Sequence, residues 1–222
     1  MCGRYTLVNA PEPQLRLFEI PSVPPELIGR YNIAPGQAVL GLVADPQPHA
    51  AVMEWNFLPS WARPGMKPVI NARAESLIEG KPYFRGAFRS ARGVLLADGF
   101  YEWKREKSAH HGQPYRIIVD GGAPFGLAAL WSARTLSDGS EQVGCAIVTT
   151  EANEVMKPIH DRMPVILDEE RLKLWLDPRA TQRDLVPLFE GFDPERMGAY
   201  PVGTAVNNPR NDGPECVRPI EE

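Results

Sequence analysis

The chain has 222 residues, 24 of them basic and 28 acidic, for a formal charge of -4 and a hydrophobic fraction of 43%. That is long enough for one large core or two small ones, and the balance excludes a generic polybasic nucleic-acid binder while leaving room for a local basic groove. Proline is the outlier at 23 residues, roughly twice ordinary usage, which argues for a loop-rich globule over a helical bundle.

In chain order, the first feature is Cys2. Met1 is removable because the next residue is small, and the mature chain would then carry an amine and a thiol on adjacent carbons. An α-amine has a pKa of about 7.7–8.0, so a sizeable fraction is neutral near pH 7 and condenses with aldehydes. The thiol then closes onto the imine carbon as a five-membered thiazolidine. Residues 6–8 read as a strand, and residues 11–19 as a helix with Leu15, Phe18 and Ile20 on one face. A strand is expected at 37–43, short helices at 74–78 and 83–88, and strands at 92–97, 115–119, 126–131 and 143–149. Residues 168–176 carry the clearest helix signature: Asp168 as N-cap, acids in the first turn, then Leu172, Trp175 and Leu176 at helical spacing. A further helix is expected at 181–189. Strands mixed irregularly with helices, without a βαβ rhythm, predict an α+β fold: a single domain over 1–222 with a largely antiparallel, barrel-like β core and flanking short helices.

Three cysteines, Cys2, Cys145 and Cys216, give no disulfide framework. No ligand spacing points to zinc, so no metal and no cofactor are expected. The amino end lacks the basic and apolar regions of a signal peptide, and no apolar run is long enough to span a bilayer. The expected location is cytoplasmic, nucleoid-associated in a bacterium or nuclear in a eukaryote, with no membrane partner.

Charge is uneven. Residues 63–107 hold ten basic and five acidic residues, a net of +5 against -9 elsewhere. Trp61, Tyr83, Phe84, Phe88, Phe100, Tyr101 and Trp103 lie in or beside that segment. Basic residues interleaved with aromatics suit a strand held by phosphate contacts and base stacking.

Four stretches are chemically loaded: residues 2–4, 71–75, 98–103 and 159–164. Glu102, flanked by Tyr101 and Trp103, is expected either as a partly desolvated carboxyl suited to acid–base work or as a solvent-facing residue of an alternating strand. His160 is a candidate proton shuttle near neutral pH, or else a loop histidine capping backbone groups. Asn71 offers donors and an acceptor to orient an amine or a sugar hydroxyl. Arg4 and Arg73 suit bidentate phosphate binding, or equally a structural pair with Glu75 or Asp98.

Together these stretches resemble one family, the SRAP domain (SOS response-associated peptidase). The resemblance runs from Met1 to about Val217. Its motifs are MCGRY at the start, RYNIAPG at 30–36, residues 55–61, INARAE at 70–75, residues 98–104, VTT at 148–150, IHDRMP at 159–164 and Val206-Asn207. The opening motif with IHDRMP is the specific pair. The resemblance implies a sensor of abasic sites in single-stranded DNA that forms a covalent thiazolidine crosslink through Cys2 and shields the lesion during the damage response. It implies that Glu102 assists proton transfer, that His160 acts on the opening sugar, and that Asn71 holds the amine or sugar in register. It further implies Arg4, Arg73 and Arg162 as phosphate ligands, Asn32, Pro35, Trp61 and Trp103 as groove residues, and Thr149 as another DNA contact. A lyase side reaction and crosslink reversal follow from the obligatory Schiff base, and a monomer is expected. The rival readings are a thiol peptidase or N-terminal-nucleophile hydrolase using Cys2, His160 and Glu102, with autoproteolytic loss of Met1, and a non-catalytic DNA-binding module.

Overall fold

The computed structural model describes residues 2–45, 47–63, 65–104, 112–136 and 138–220. In chain order the elements are β1 (Tyr5–Leu7), α1 (Glu12–Leu17), β2 (Arg30–Ile33), β3 (Ala38–Ala44), β4 (Pro48–Glu54), β5 (Asn71–Arg73), α2 (Ala74–Ile78), α3 (Pro82–Ser90), β6 (Arg92–Ala97) and β7 (Gly99–Lys104). There follow β8 (Gln113–Val119), β9 (Phe125–Thr135), β10 (Glu141–Glu151), β11 (Arg162–Pro164), β12 (Ile166–Leu167), α4 (Glu169–Leu176), α5 (Gln182–Leu185) and β13 (Met197–Pro201).

Five strands close on themselves. β3 pairs with β4 and β6, β6 with β9, and β9 with β10, all antiparallel. β10 then returns to β4 through a parallel bridge between Gly144 and Glu54. A Cβ on Gly144 would sit 2.6 Å from the Asn56 carbonyl oxygen, so the closure needs a residue without a side chain there. Every residue of β6 is buried, as expected of a strand covered on both faces. A second, antiparallel sheet runs β13-β8-β7-β1-β2. Tyr5, Ile33, Phe100 and Ile117 from it join Leu42, Val94, Leu127 and Ile147 of the barrel in one buried cluster. The fold is therefore α+β and mostly antiparallel, with a five-stranded barrel and short helices.

The expected strands at 6–8, 37–43, 92–97, 115–119, 126–131 and 143–149 are all present, the last two extended to eleven residues each because they pair with each other along most of their length. The first helix is shorter than expected: Glu19 adopts φ 55° and turns the chain out of the helix. α4 forms as its cap signature predicts, with Asp168 accepting a hydrogen bond from the Arg171 amide at 3.2 Å. The expected helix at 181–189 divides. A capping box between Thr181 and Asp184 starts α5, and a 3₁₀ turn over Val186–Phe189 follows, where Pro187 has no amide hydrogen to continue the ladder.

The crossing from barrel to second sheet happens at Asp98, between β6 and β7. Its buried carboxylate accepts from the Thr6 hydroxyl (2.6 Å), from the amides of Val8 and Asn9 (2.8 and 2.7 Å) and from Arg116 (3.2 Å). Five charge-assisted contacts, with a further one from Asn9 Nδ2 at 3.2 Å counted among them, tie β1 to β7 and β8. Removing one partner of a buried charge network costs roughly 3–5 kcal/mol. Asp98→Ala should therefore lower the thermal midpoint by on the order of 10 °C, read by calorimetry; an unchanged midpoint would show that the network does not hold the sheet.

Candidate active site

Pairing places the amino end beside Glu102. In β1, Tyr5 lies opposite Phe100 and Thr6 opposite Gly99, antiparallel, and the Tyr101 amide donates to the Arg4 carbonyl at 2.9 Å. Continuing that register backward along the chain brings residues 2–3 to the level of Glu102. β5 runs parallel to β10, with Asn71 opposite Ile147, and the Asn71 side-chain Nδ2 donates to the Cys2 carbonyl at 2.9 Å. The Asn71 side-chain oxygen is buried without a hydrogen-bond partner, an acceptor left available beside Cys2. The loop between β10 and β11 supplies His160. The four residues expected to do chemistry, Cys2, Asn71, Glu102 and His160, thus converge from four separate segments.

Burial governs the electrostatics. Cys2 is fully buried, and desolvation, then the nearby Glu102 carboxylate, push its thiol well up. Burial also raises Glu102, and the neighbouring His160 acts in the opposite direction. In His160, Nδ1 lies 2.9 Å from the Arg162 amide nitrogen and 2.9 Å from Asp161 Oδ1. One nitrogen cannot accept and donate at once. The amide is a fixed donor, whereas Asp161 is largely exposed, so Nδ1 accepts from Arg162 and the ring proton of the neutral form sits on Nε2.

The residues implied as DNA ligands fall into two groups and two exposed singles. Arg4 donates to Asn32 Oδ1 (2.8 Å) and to the Val206 carbonyl (2.7 Å), and its guanidinium lies 5.9 Å from the Trp103 ring centre. Trp103 in turn donates to Asn207 Oδ1 at 2.8 Å. Asn32 is fully buried, its nitrogen shared among the carbonyls of Val206, Asn208 and Asn211; it braces that loop under Arg4. In the second group Arg162 grips Glu75 with both terminal nitrogens (2.5 and 2.9 Å) and donates to the Thr149 carbonyl at 2.7 Å. That bond holds the Glu75 carboxyl below its usual range. The Thr149 hydroxyl is buried without a partner, and Arg73 is exposed at the end of β5. Pro35 is exposed in a turn closed by the Gln37 amide on the Ala34 carbonyl, with Gly36 at φ 82°, a type II Pro-Gly turn. Trp61 is 54% exposed.

The structural pairs differ from those expected for Arg4 and Arg73: Asp98 is taken by Arg116 and Glu75 by Arg162. The basic segment also divides. Arg92 is buried and caps the C-terminal carbonyls of α4, donating to Trp175 at 2.8 Å and Asp177 at 2.6 Å. Lys81 pairs with Glu79 at 2.8 Å. Arg63, Lys67, Arg73, Arg85 and Arg89 remain exposed, and residues 105–107 lie outside the described residues. Arg116, which holds Asp98, was not singled out by the sequence; in isolation it is one polar position on an alternating strand. Among the described residues no cluster of His, Cys, Asp and Glu could hold a metal ion, and no helix is long and apolar enough to cross a membrane.

Barrel and site together define a class: a closed β-barrel with a second sheet, in which Cys2 lies beside an asparagine and a buried carboxyl on which a histidine acts in turn. Residues 1–209 match the family described as SOS response associated peptidase (SRAP), and the chain belongs to that family. It is 39% identical over 224 residues to abasic site processing protein YoqW of Bacillus subtilis, covering 98% of this chain and 99% of that protein. It is 34% identical to abasic site processing protein YedK of Escherichia coli, covering 99% of this chain and 100% of that one. Among solved structures, a phage-related protein from Bordetella bronchiseptica superposes with a TM-score of 0.74 at 31% identity, over 90% of this chain and 94% of the other. A protein from Bacteroides thetaiotaomicron gives 0.87 at 24% identity, over 99% and 100%, a likeness of fold.

Proposed function

We propose that this protein recognises abasic sites in single-stranded DNA and crosslinks to them through Cys2. The observation that carries the reading is the seating of Cys2 between Asn71 and Glu102. The names of its relatives YoqW and YedK, abasic site processing proteins, support the DNA lesion as the target.

The chemistry runs as follows once Met1 is removed. The abasic sugar opens to its aldehyde, and the Cys2 amine adds to C1′ to give a carbinolamine. Loss of water needs a proton donor at the departing hydroxyl; Glu102, raised by burial, supplies it. The resulting imine is attacked by the Cys2 thiol, whose proton passes by way of the Glu102 carboxylate to the imine nitrogen, and the thiazolidine closes. The raised thiol pKa makes the amine the first nucleophile and the sulfur the second. It also weighs against the thiol peptidase reading, which needs a thiolate at the start. Asn71 orients Cys2 through its carbonyl. Arg4, Arg73 and Arg162 face the phosphates, with Arg162 exchanging its Glu75 carboxylate for a phosphate oxygen.

Denaturing gel electrophoresis tests this directly. The processed protein, its mass verified, should shift a single-stranded oligonucleotide carrying one abasic site and leave the intact strand unshifted. A chain that retains Met1 has an amide at Cys2 and should give no adduct. No shifted band from the processed protein would overturn the proposal.

A further inference from the structure

Two of the cations read as phosphate ligands act on one carboxylate. Glu75 lies in α2, two residues after Arg73, and takes both terminal nitrogens of Arg162 at 2.5 and 2.9 Å. The charge of Arg73 acts on it as well. A planar guanidinium receives carboxylate and phosphate oxygens by the same fork geometry. Glu75 therefore occupies, with an anion of the chain's own, the seat that a phosphate would take on Arg162. Three features separate it from a pair that merely braces the fold.

First, the carboxylate is the outer member: the Arg162 side chain is 11% exposed and that of Glu75 45%. An anion arriving from solvent meets Glu75 before it meets the guanidinium. Second, Arg162 is anchored without Glu75. Its Nη2 donates to the Thr149 carbonyl at 2.7 Å, and its backbone pairs with Glu151 where β11 joins β10. Loss of the carboxylate would leave the guanidinium in place and short of an anion. Third, a displaced Glu75 has room but no new partner. It lines an open groove of about 510 Å³ with Ile78, Glu151, Phe189 and Glu190, and no basic residue lines that groove. Glu151 and Glu190 are exposed carboxylates of the same sign, and their repulsion favours the return of Glu75 to Arg162.

We propose that Glu75 is a specificity-determining residue: an internal anion that keeps free phosphate and other small anions off Arg162 and yields the seat to a DNA strand. The inference rests on the DNA reading above. A free anion competes from solution with a carboxylate tethered beside the seat. A strand already held by Arg4 and Arg73 presents its phosphate within the same complex, so its exchange with Glu75 is intramolecular on both sides.

The test begins without DNA. Thermal midpoints of the wild type and of Glu75→Gln are compared in sodium phosphate and in sodium chloride at equal ionic strength. Phosphate should raise the midpoint of Glu75→Gln by several degrees over chloride and leave the wild type alike in both salts. Adding Arg162→Met to Glu75→Gln should remove the gain, which places the anion on Arg162. Strand binding is then read by fluorescence polarisation on single strands carrying one tetrahydrofuran residue, an abasic analogue with no aldehyde. In chloride, Glu75→Gln should bind about tenfold tighter than the wild type, the factor for a seat open roughly a tenth of the time. Phosphate should cancel that gain and leave wild-type binding as it is in chloride. An equal response of both proteins to phosphate, or strand binding by Glu75→Gln no tighter than wild type, would overturn the assignment. If Glu75→Gln does not fold, Glu75→Asp carries the test, since its shorter side chain draws the carboxylate back from Arg162. It should respond to phosphate in part, and a wild-type response would overturn the assignment. A wild-type protein that binds no strand, beside a Glu75→Gln protein that still takes phosphate at Arg162, would overturn the DNA reading while the anion seat stood, a different result.

Discussion

Cys2→Ala should abolish the stable DNA adduct while leaving the first chemical step intact. Alanine is also small, so Met1 is still removed and the α-amine is still presented. That amine condenses with the abasic aldehyde, but no thiol closes the ring and the imine hydrolyses. The yield of adduct on a denaturing gel should fall by at least about a hundredfold, the advantage of a thiol held within the same molecule being lost. Borohydride present during the reaction should restore a band by reducing the imine to a secondary amine. The two lanes together separate the roles of nitrogen and sulfur. The proposed order of attack agrees with the seating of Cys2: burial pushes its thiol upward and disfavours the thiolate, which leaves the amine as the first nucleophile. A Cys2→Ala protein that gives the wild-type yield without reductant would remove sulfur from the mechanism. One that gives no band even with borohydride would remove the amine.

The parts of the molecule legible in its sequence are those set by local rules. Helix α4 is announced by Asp168 and its apolar spacing, and β6 by a bounded apolar run. The short strands β5, β11 and β12 carry no such signal, because three residues or fewer become a strand only through a distant partner: β5 and β11 both pair with β10. Arg92 looked in sequence like one more cation of a basic segment. Its burial follows from the unsatisfied carbonyls at the end of α4, a demand created more than eighty residues downstream. Asn32 is similar, since the carbonyls it satisfies lie at 206, 208 and 211. The convergence of Cys2, Asn71, Glu102 and His160 is long-range as well; spacing alone says nothing of it, and it was readable only through the resemblance of several motifs taken together. The aromatic and basic interleaving was visible from the start, but which of its cations are buried or paired needed the fold around them.

Glu102→Gln should slow crosslinking by about 10²–10⁴, the range for removing a positioned acid–base group, and should at the same time make the protein more stable above the ordinary carboxylate range. The two effects share one cause. Burial raises the Glu102 pKa in the folded chain, so between the unfolded and folded values the native state holds a proton that the unfolded state has released. Stability from this group is then full below the unfolded pKa and declines as pH rises through the folded one. Glutamine keeps the shape, removes the buried charge and removes the decline. Urea midpoints for both proteins at about pH 5 and pH 8 provide the check, because the difference between them cancels every other titrating group. The variant should gain on the wild type as pH rises. A gain in the opposite direction would mean that Glu102 is stabilised as a carboxylate and is not the proton donor for loss of water. A stability gain with an unchanged crosslinking rate would leave Glu102 a buried acid without a catalytic task. Both effects together would mean that stability is given up at this position because the reaction needs a carboxyl there.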